Sequence, residues 1–139
     1  MIKHVGKVAE YLVLAELIRK DVEAYSAISF RQEHYDITVV RPNRTIDRVQ
    51  VKATELHNKS TNNPVGNLAK DYDHLILVVF DGVDPLYFIL TKQEVEAEFA
   101  PLKHGTIYVT KKVSGEFKVK DSIKLYQDRW EKIVGVMPT

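Results

Sequence analysis

The stretch that decides the fold runs from Tyr35 to Thr54 and reads YDITVVRPNRTIDRVQVKAT. Polar and apolar residues alternate on both sides of a turn at residues 42–45. This pattern predicts an antiparallel hairpin, because successive strand residues point to opposite faces. One face carries Ile37, Val39, Val49, Val51 and Ala53, which are all apolar. The other is polar apart from Val40 and carries Asp36, Thr38, Arg48, Gln50, Lys52 and Thr54.

The polar face is expected to gather Asp36, Gln50 and Lys52 at the open end of the hairpin. A turn of about five residues is expected to place Asp36 beside Lys52, whereas a four-residue turn would set Asp36 opposite Val51. The carboxylate, the amide oxygen and the Val51 carbonyl are hard oxygen ligands that suit a divalent cation. Lys52 would orient an attacking water or offset charge that develops on a phosphate. The competing interpretation is an ordinary hairpin with a solvated polar face.

The remaining pattern predicts an α/β protein in which helices flank a mixed sheet, organised as one domain over residues 1–139. Thr91 and Glu94 form a capping-box pattern at the start of a helix. The predicted elements are a helix over 5–20, a strand over 27–31, a polar loop over 55–70 ending in a short helix before Tyr72, strands over 74–80 and 86–90, a helix through about Phe99, short strands at 107–110 and 117–119, and a closing helix over 121–134.

Composition excludes several classes of protein. The chain has 139 residues, 45% hydrophobic and 28% charged, and no cysteine, so disulfides and thiolate metal sites are excluded. No apolar run approaches the roughly 20 residues that span a bilayer, and no signal peptide is visible, so a cytoplasmic protein is expected. The net charge of +1 argues against a generic polyanion-coating protein. It is compatible with a local basic face beside an acidic metal site.

The spacing of Asp36 and, fourteen residues later, Gln50-Val51-Lys52 resembles the catalytic signature of the PD-(D/E)XK nuclease superfamily. That superfamily includes restriction endonucleases and archaeal Holliday-junction resolvases. Gly6-Lys7-Val8-Ala9-Glu10 resembles the segment that places a carboxylate on the first helix of many members. The apolar strand after Tyr72 looks like the core strand that follows, so the resemblance extends from Gly6 to Leu90. It implies a restriction endonuclease-like core.

The sequence departs from this signature at Tyr35, where proline is usual, and at Gln50, where an acidic residue is usual. The Gln-x-Lys variant is similar to one branch, the group I intron homing endonucleases of this fold. The resemblance implies a DNA endonuclease that depends on Mg²⁺, with Mn²⁺ as a substitute, and that acts as a dimer or tetramer on DNA. It implies the catalytic residues Glu10, Asp36, Gln50 and Lys52, and the metal ligands Glu10, Asp36, Gln50 and Val51.

Two further questions concern Glu10 and the nucleic-acid contacts. Glu16 is a second acidic residue on the first helix, but six residues place it on a largely different face from Glu10, and a solvated role stays open for either. Lysines at 111, 112, 118, 120 and 124 form a basic group that would follow a phosphate backbone or remain solvated. The residues expected to contact nucleic acid are His34, Arg41, Arg44, Arg48, Thr54 and Lys59.

Two alternatives to an active nuclease remain at the level of sequence. A neutral residue at Gln50 weakens a metal site, so the chain could be a catalytically silent nuclease fold that binds nucleic acid or a protein partner. An unrelated α/β domain would follow if Asp36 and Lys52 lay far apart. No Gly-rich phosphate loop, nucleophile elbow or dinucleotide fingerprint is present, which argues against nucleotide hydrolysis and hydride transfer.

Overall fold

A computed structural model describes residues 2–27, 34–57 and 63–135. The elements in chain order are α1 (Val5–Arg19), β1 (Glu23–Ser26), β2 (Ile37–Val40), β3 (Ile46–Glu55), β4 (Pro64–Val65), β5 (His74–Asp81), β6 (Asp84–Thr91), α2 (Lys92–Ala97), β7 (Ile107–Tyr108), β8 (Thr110–Val113), β9 (Glu116–Val119), α3 (Asp121–Lys124) and α4 (Glu131–Val134).

The central sheet has five strands in the order β1-β2-β3-β5-β6. Strands β3 and β5 are parallel, and the other neighbouring pairs are antiparallel. Strands β4 and β7 pair separately, as do β8 and β9. This is the mixed sheet flanked by helices that the sequence predicted. Within the described ranges, no helix has the length and apolar character that crossing a membrane requires.

Helix α1 covers the apolar face of the hairpin. Its residues Ala9, Val13 and Leu17 are fully buried, four residues apart, and so form one stripe along the helix. They pack in one core with the hairpin residues that alternation assigned to this face: Ile37, Val39, Val49 and Val51, with Ala53 at its margin. The predicted division of the hairpin into two faces is therefore confirmed on its apolar side.

A second core lies on the opposite face of the sheet, over β5 and β6. Leu75, Leu77 and Val79 point into it, while their neighbours Ile76 and Val78 point into the α1 core. Strand β5 is therefore buried on both faces, as its continuous apolar run predicted. Helix α2 closes this side and begins with the predicted capping box, in which Thr91 and Glu94 bond each other's backbone amides.

Three predicted elements were wrong or lie outside the described residues. The closing helix over 121–134 is split into α3 and α4, because Asp128 adopts a positive φ and the chain between them bonds to the edge of β6. Residues 66–73 contain no helix before Tyr72. The strand predicted over 27–31 lies outside the described ranges except for Ala27, which follows the end of β1.

The register predicted for the hairpin was also wrong. Strands β2 and β3 pair Ile37 with Val49 and Val40 with Ile46, so continuing the ladder sets Asp36 across from Gln50 rather than Lys52. The turn does contain five residues, and it closes because the Arg41 amide donates to the Thr45 carbonyl (2.9 Å). A shift of two residues preserves the face on which a side chain lies, so Asp36, Gln50 and Lys52 still share one face.

Candidate active site

The open end of the hairpin is organised around the carboxylate of Asp36. Its Oδ2 accepts a hydrogen bond from Gln50 Nε2 (2.7 Å) and another from the Val51 backbone amide (2.8 Å). Gln50 Nε2 also donates to the Val51 carbonyl oxygen (3.2 Å). The amide nitrogen of Gln50 therefore contacts both the carboxylate and the carbonyl that the sequence assigned as ligands of a cation.

One buried atom of the Gln50 side chain has no hydrogen-bond partner among the described residues. Its side chain is buried, with 5% of its surface exposed, and Oε1 has no hydrogen-bond partner in the described part of the chain. Buried polar atoms are nearly always paired, because an unpaired one costs roughly 1–3 kcal/mol. An orphaned oxygen beside a carboxylate is the kind of group that a bound cation would satisfy.

Burial makes the charge on Asp36 costly. Desolvation raises the pKa of its carboxyl above the ordinary value, although the amide of Val51 and the charges of Lys52, Lys7 and Lys70 act to lower it. The net direction is upward, so loss of water outweighs one backbone hydrogen bond and three neighbouring cations. A divalent cation would restore the ionised form.

Burial also removes part of the water around the side chain of Lys52. Burial lowers the pKa of its ammonium group, and the charge of Lys70 lowers it further, while Asp36 opposes both. A lowered pKa makes the ammonium group of Lys52 easier to deprotonate than that of an ordinary lysine. The site therefore contains an acid and a base whose pKa values are both displaced towards the neutral range, which is common at functional sites.

Glu10 lies on α1, where it is partly exposed and its Oε2 is 3.4 Å from Lys7 Nζ. Because the charge of Lys7 lowers the pKa of Asp36, this turn of α1 acts electrostatically on the hairpin site. Glu16, the alternative acidic residue, is bonded by Arg19 and Lys20 at 3.0 Å each. Both carboxylates are thus paired with cations of the same helical segment, and the assignment of Glu10 to the site stays a prediction.

The arginines expected to contact nucleic acid are mostly engaged within the protein. Arg41 pairs with the buried Asp47. Arg48 bonds Asp71 (2.9 Å) and Asp73 (3.2 Å). Arg44 is exposed in the turn, where it adopts a positive φ.

The other expected contacts are placed as follows. His34 is exposed, and its Nδ1 accepts a hydrogen bond from the Asp71 amide (2.9 Å). Thr54 is partly buried on the polar face of β3, two residues beyond Lys52. Lys59 lies outside the described residues. Two cations that sequence reasoning missed, Lys7 and Lys70, act on Asp36, and neither stands in a recognisable spacing to it.

The available ligands define what sort of cation site this could be. Within residues 2–27, 34–57 and 63–135, no three His, Cys, Asp or Glu side chains come together as a cage for a metal ion. A cation at the hairpin would therefore depend on neutral oxygens beside its carboxylates. Gln50 Oε1 and the Val51 carbonyl are such oxygens, and hard cations such as Mg²⁺ accept them.

Comparison with known proteins identifies the architecture. No protein-family model matches the sequence, and no curated protein matches it. Among solved structures, the chain is similar to a bacterial homing endonuclease, I-Ssp6803I, with a TM-score of 0.64 and 18% identity over 93% of this chain and 89% of that one. It is also similar to Hjc, a Holliday junction resolvase from Archaeoglobus fulgidus, with a TM-score of 0.50 and 14% identity over 96% of this chain and 98% of that one.

Both similar structures are PD-(D/E)XK nucleases, the superfamily that the spacing of Asp36, Gln50 and Lys52 resembles. At these levels of identity, the likeness concerns the course of the backbone. The chain therefore has the restriction endonuclease-like fold of the PD-(D/E)XK nucleases, as its sequence motif predicted.

Proposed function

We propose that the protein is a metal-dependent DNA endonuclease whose active site consists of Glu10, Asp36, Gln50 and Lys52. The observation that carries the proposal is the desolvated cluster of Asp36, Gln50 and Lys52 on a nuclease fold. Burial there raises the pKa of an acid and lowers the pKa of a base, and the Gln50 oxygen lacks a partner among the described residues. An arrangement that costs stability is expected where a site serves chemistry.

The residues present fit a divalent cation. Asp36 would supply a charged ligand, Gln50 Oε1 and the Val51 carbonyl would supply neutral ones, and Glu10 would complete the set. Gln50 Nε2 now bonds Asp36 Oδ2, so the amide would turn to direct Oε1 towards the cation. Such a turn would give the orphaned oxygen a partner. Mg²⁺, with Mn²⁺ as a substitute, would polarise a phosphoryl oxygen and acidify a bound water.

Lys52 would act on the attacking water or on the phosphate. Its lowered pKa makes the ammonium group easier to deprotonate than that of an ordinary lysine, and its charged form would stabilise the negative charge that develops on phosphorus-bound oxygens. Its partly buried position beside Asp36 excludes part of the solvent, which strengthens both effects.

DNA is the proposed substrate. The two similar structures are described as a homing endonuclease and a Holliday junction resolvase, and both descriptions concern DNA. We propose that a dimer or tetramer engages the DNA, as the resemblance of the Gln-x-Lys motif to the homing endonuclease branch implies.

Cleavage of plasmid and branched DNA tests this proposal. Wild type with Mg²⁺ or Mn²⁺ is expected to cut, and EDTA is expected to stop it. Lys52→Ala is expected to lower the rate by about 100-fold or more, the scale of losing one charge-stabilising group. Arg129→Ala, which removes an exposed cation from the segment before α4, serves as the matched control and is expected to cut normally. Cutting by a folded Lys52→Ala protein at the wild-type rate would contradict the proposal.

A silent nuclease fold that binds nucleic acid or a protein is the second candidate. It is favoured by the same Gln50 amide, because Nε2 already bonds both Asp36 and the Val51 carbonyl and so closes the site without a cation. The two candidates differ in their response to metal. A silent fold would bind its partner equally well in EDTA and would show no Mg²⁺ affinity that depends on Asp36.

A further inference from the structure

Two clefts share the residues Ala69, Lys70 and His104. The smaller, about 320 Å³, extends from His34 to His104, and the larger, about 530 Å³, extends from Pro64 to Thr106. Lys70 lines both of them. We call the two clefts, taken together, the Lys70 groove.

Among the charged residues that line the Lys70 groove, lysines outnumber carboxylates. Lys70, Lys92 and Lys103 contribute three positive charges, and His34 and His104 add imidazole rings. The acidic residues on its walls are Asp71 and Glu96. The groove therefore presents a net positive surface that suits a polyanion.

The segment that carries Lys70 is fixed at both ends. The Leu68 amide donates to the Gly105 carbonyl (2.9 Å), and the Tyr72 hydroxyl donates to the Leu68 carbonyl (2.7 Å). The Asp73 amide donates to the Arg48 carbonyl (2.8 Å). Leu68 and Tyr72 are buried on either side of Lys70. The backbone of Lys70 is thus held in place, which reduces the entropy that its side chain loses on meeting a ligand.

The ring of His34 contributes a hydrogen-bond donor to the Lys70 groove. Its Nδ1 accepts from the Asp71 amide at 2.9 Å, which leaves Nε2 as the nitrogen of the ring that donates. His34 thus offers an N–H group in the groove. Because His34 precedes the candidate metal ligand Asp36 by two residues, this end of the groove lies near the candidate site.

Strand β5 begins four residues after Lys70 and pairs in parallel with β3, so that Leu75 lies beside Gln50. This pairing brings the segment of Lys70 next to the strand that carries Gln50 and Lys52. In keeping with this position, the charge of Lys70 acts to lower the pKa of Asp36 and of Lys52.

We propose that the Lys70 groove holds the phosphate backbone of the DNA strand that is cut, with Lys70 contacting a phosphate adjacent to the scissile one and His34 Nε2 donating to the same backbone. This inference rests on the proposed function, because it places the strand relative to that site. Contacts to phosphate position a strand without reading its sequence, so the groove serves every DNA target equally.

DNA binding by Lys70→Gln, measured in EDTA so that the strand stays intact, tests the inference. Duplex and four-way-junction oligonucleotides are titrated by fluorescence anisotropy over a range of salt concentrations, with Arg129→Gln as the matched loss of one exposed cation. Lys70→Gln is expected to weaken binding about tenfold and to reduce the slope of log K against log salt by about one. Arg129→Gln is expected to leave both values unchanged.

A cross-linking measurement locates the contact directly. The chain contains no cysteine, so Lys70→Cys introduces its only thiol. A disulfide with a thiol-tethered phosphate is expected at the position beside the cut and not at positions several nucleotides away. Equal cross-linking at all tether positions would overturn the inference.

The outcomes separate the groove from the catalytic proposal. Unchanged affinity and salt slope in folded Lys70→Gln, with wild type still cutting DNA, would overturn the groove and leave the nuclease standing. A salt slope that depends on Lys70 in a protein that never cuts would support the groove and contradict catalysis. Wild type that binds no DNA in any form would contradict both.

Discussion

The two ends of the β2–β3 hairpin differ in how completely their charged and polar groups are paired. At the turn end, the buried Asp47, with 1% of its surface exposed, bonds Arg41 through Oδ2 and His74 Nδ1 through Oδ1 (2.8 Å). Both of its oxygens have a partner. Arg48 is likewise bonded to two carboxylates, Asp71 and Asp73.

At the open end, the polar groups are only partly satisfied. Asp36 retains a raised pKa despite two hydrogen bonds, Lys52 has a lowered one, and Gln50 Oε1 has no partner among the described residues. The hairpin therefore contains two hydrogen-bond networks, a complete one at the turn end and an incomplete one at the open end. The complete network is expected to stabilise the fold, and the incomplete one to depend on a ligand that supplies what is missing.

The largest effect is expected from breaking the complete network. Asp47→Ala leaves His74 and Arg41 without their buried partner, and we expect a loss of about 3 kcal/mol in the free energy of unfolding. Urea denaturation measures it. Asp71→Ala is the matched control, because Asp71 is 72% exposed and its ion pair with Arg48 is worth less than about 1 kcal/mol. Equal losses in the two variants would show that burial does not distinguish these carboxylates.

An intermediate effect is expected at Gln50. Gln50→Glu replaces the hydrogen bond from Nε2 to Asp36 with two facing carboxylates, and we expect the metal-free protein to lose about 1–3 kcal/mol. Mg²⁺ is expected to restore much of that loss, because the variant offers one more charged ligand. Thermal unfolding with EDTA and with Mg²⁺ measures both changes. An unaltered unfolding temperature in EDTA would contradict the contact between Gln50 and Asp36.

The smallest change in the free energy of unfolding is expected at Asp36. It is a gain in stability, whereas the change expected at Asp47 is a loss. Burial raises the pKa of Asp36 in the folded state, so the folded protein holds this proton more tightly than the unfolded chain does. The stability that Asp36 contributes is therefore lost as pH rises through the raised pKa. Asp36→Asn has no carboxyl group to ionise, so it does not lose this stability as pH rises. Its side-chain oxygen still accepts a hydrogen bond from the Val51 amide. We expect a slightly more stable metal-free protein at pH 7.

The pH dependence provides the control for this prediction. Wild type and Asp36→Asn are expected to converge in stability as pH falls below the ordinary pKa of an aspartate, because wild-type Asp36 is then protonated in both states. Urea denaturation between pH 3 and pH 8 follows this convergence. A variant that is less stable than wild type at pH 7 would show that ionised Asp36 stabilises the metal-free fold.

Local patterns predicted the parts of the fold that depend on local chemistry. Alternation assigned the faces of the hairpin, and the Thr91–Glu94 capping box marked the start of α2. The motif spacing predicted the fold itself. The register was missed because it depends on how the turn closes, here by the bond from Arg41 to Thr45, which composition does not reveal.

The residues that the sequence did not reveal owe their positions to tertiary structure. Lys70 and Lys7 act on Asp36 from distant parts of the chain, and no fixed spacing connects them to it. Periodicity predicted one closing helix because Ile123, Tyr126, Trp130 and Ile133 recur at helical spacing. The edge of β6 instead draws the chain into hydrogen bonds at Tyr126 and Asp128, which outweigh that local preference.

Magnesium binding without DNA tests the central claim, that the incomplete network is a cation site, most directly. Isothermal titration calorimetry would compare wild type with Asp36→Asn, which loses the charged ligand and keeps the fold. The account predicts one Mg²⁺ site per chain in wild type, weakened about tenfold or more by the substitution. Equal Mg²⁺ affinity in the two proteins, or none in wild type, would contradict it.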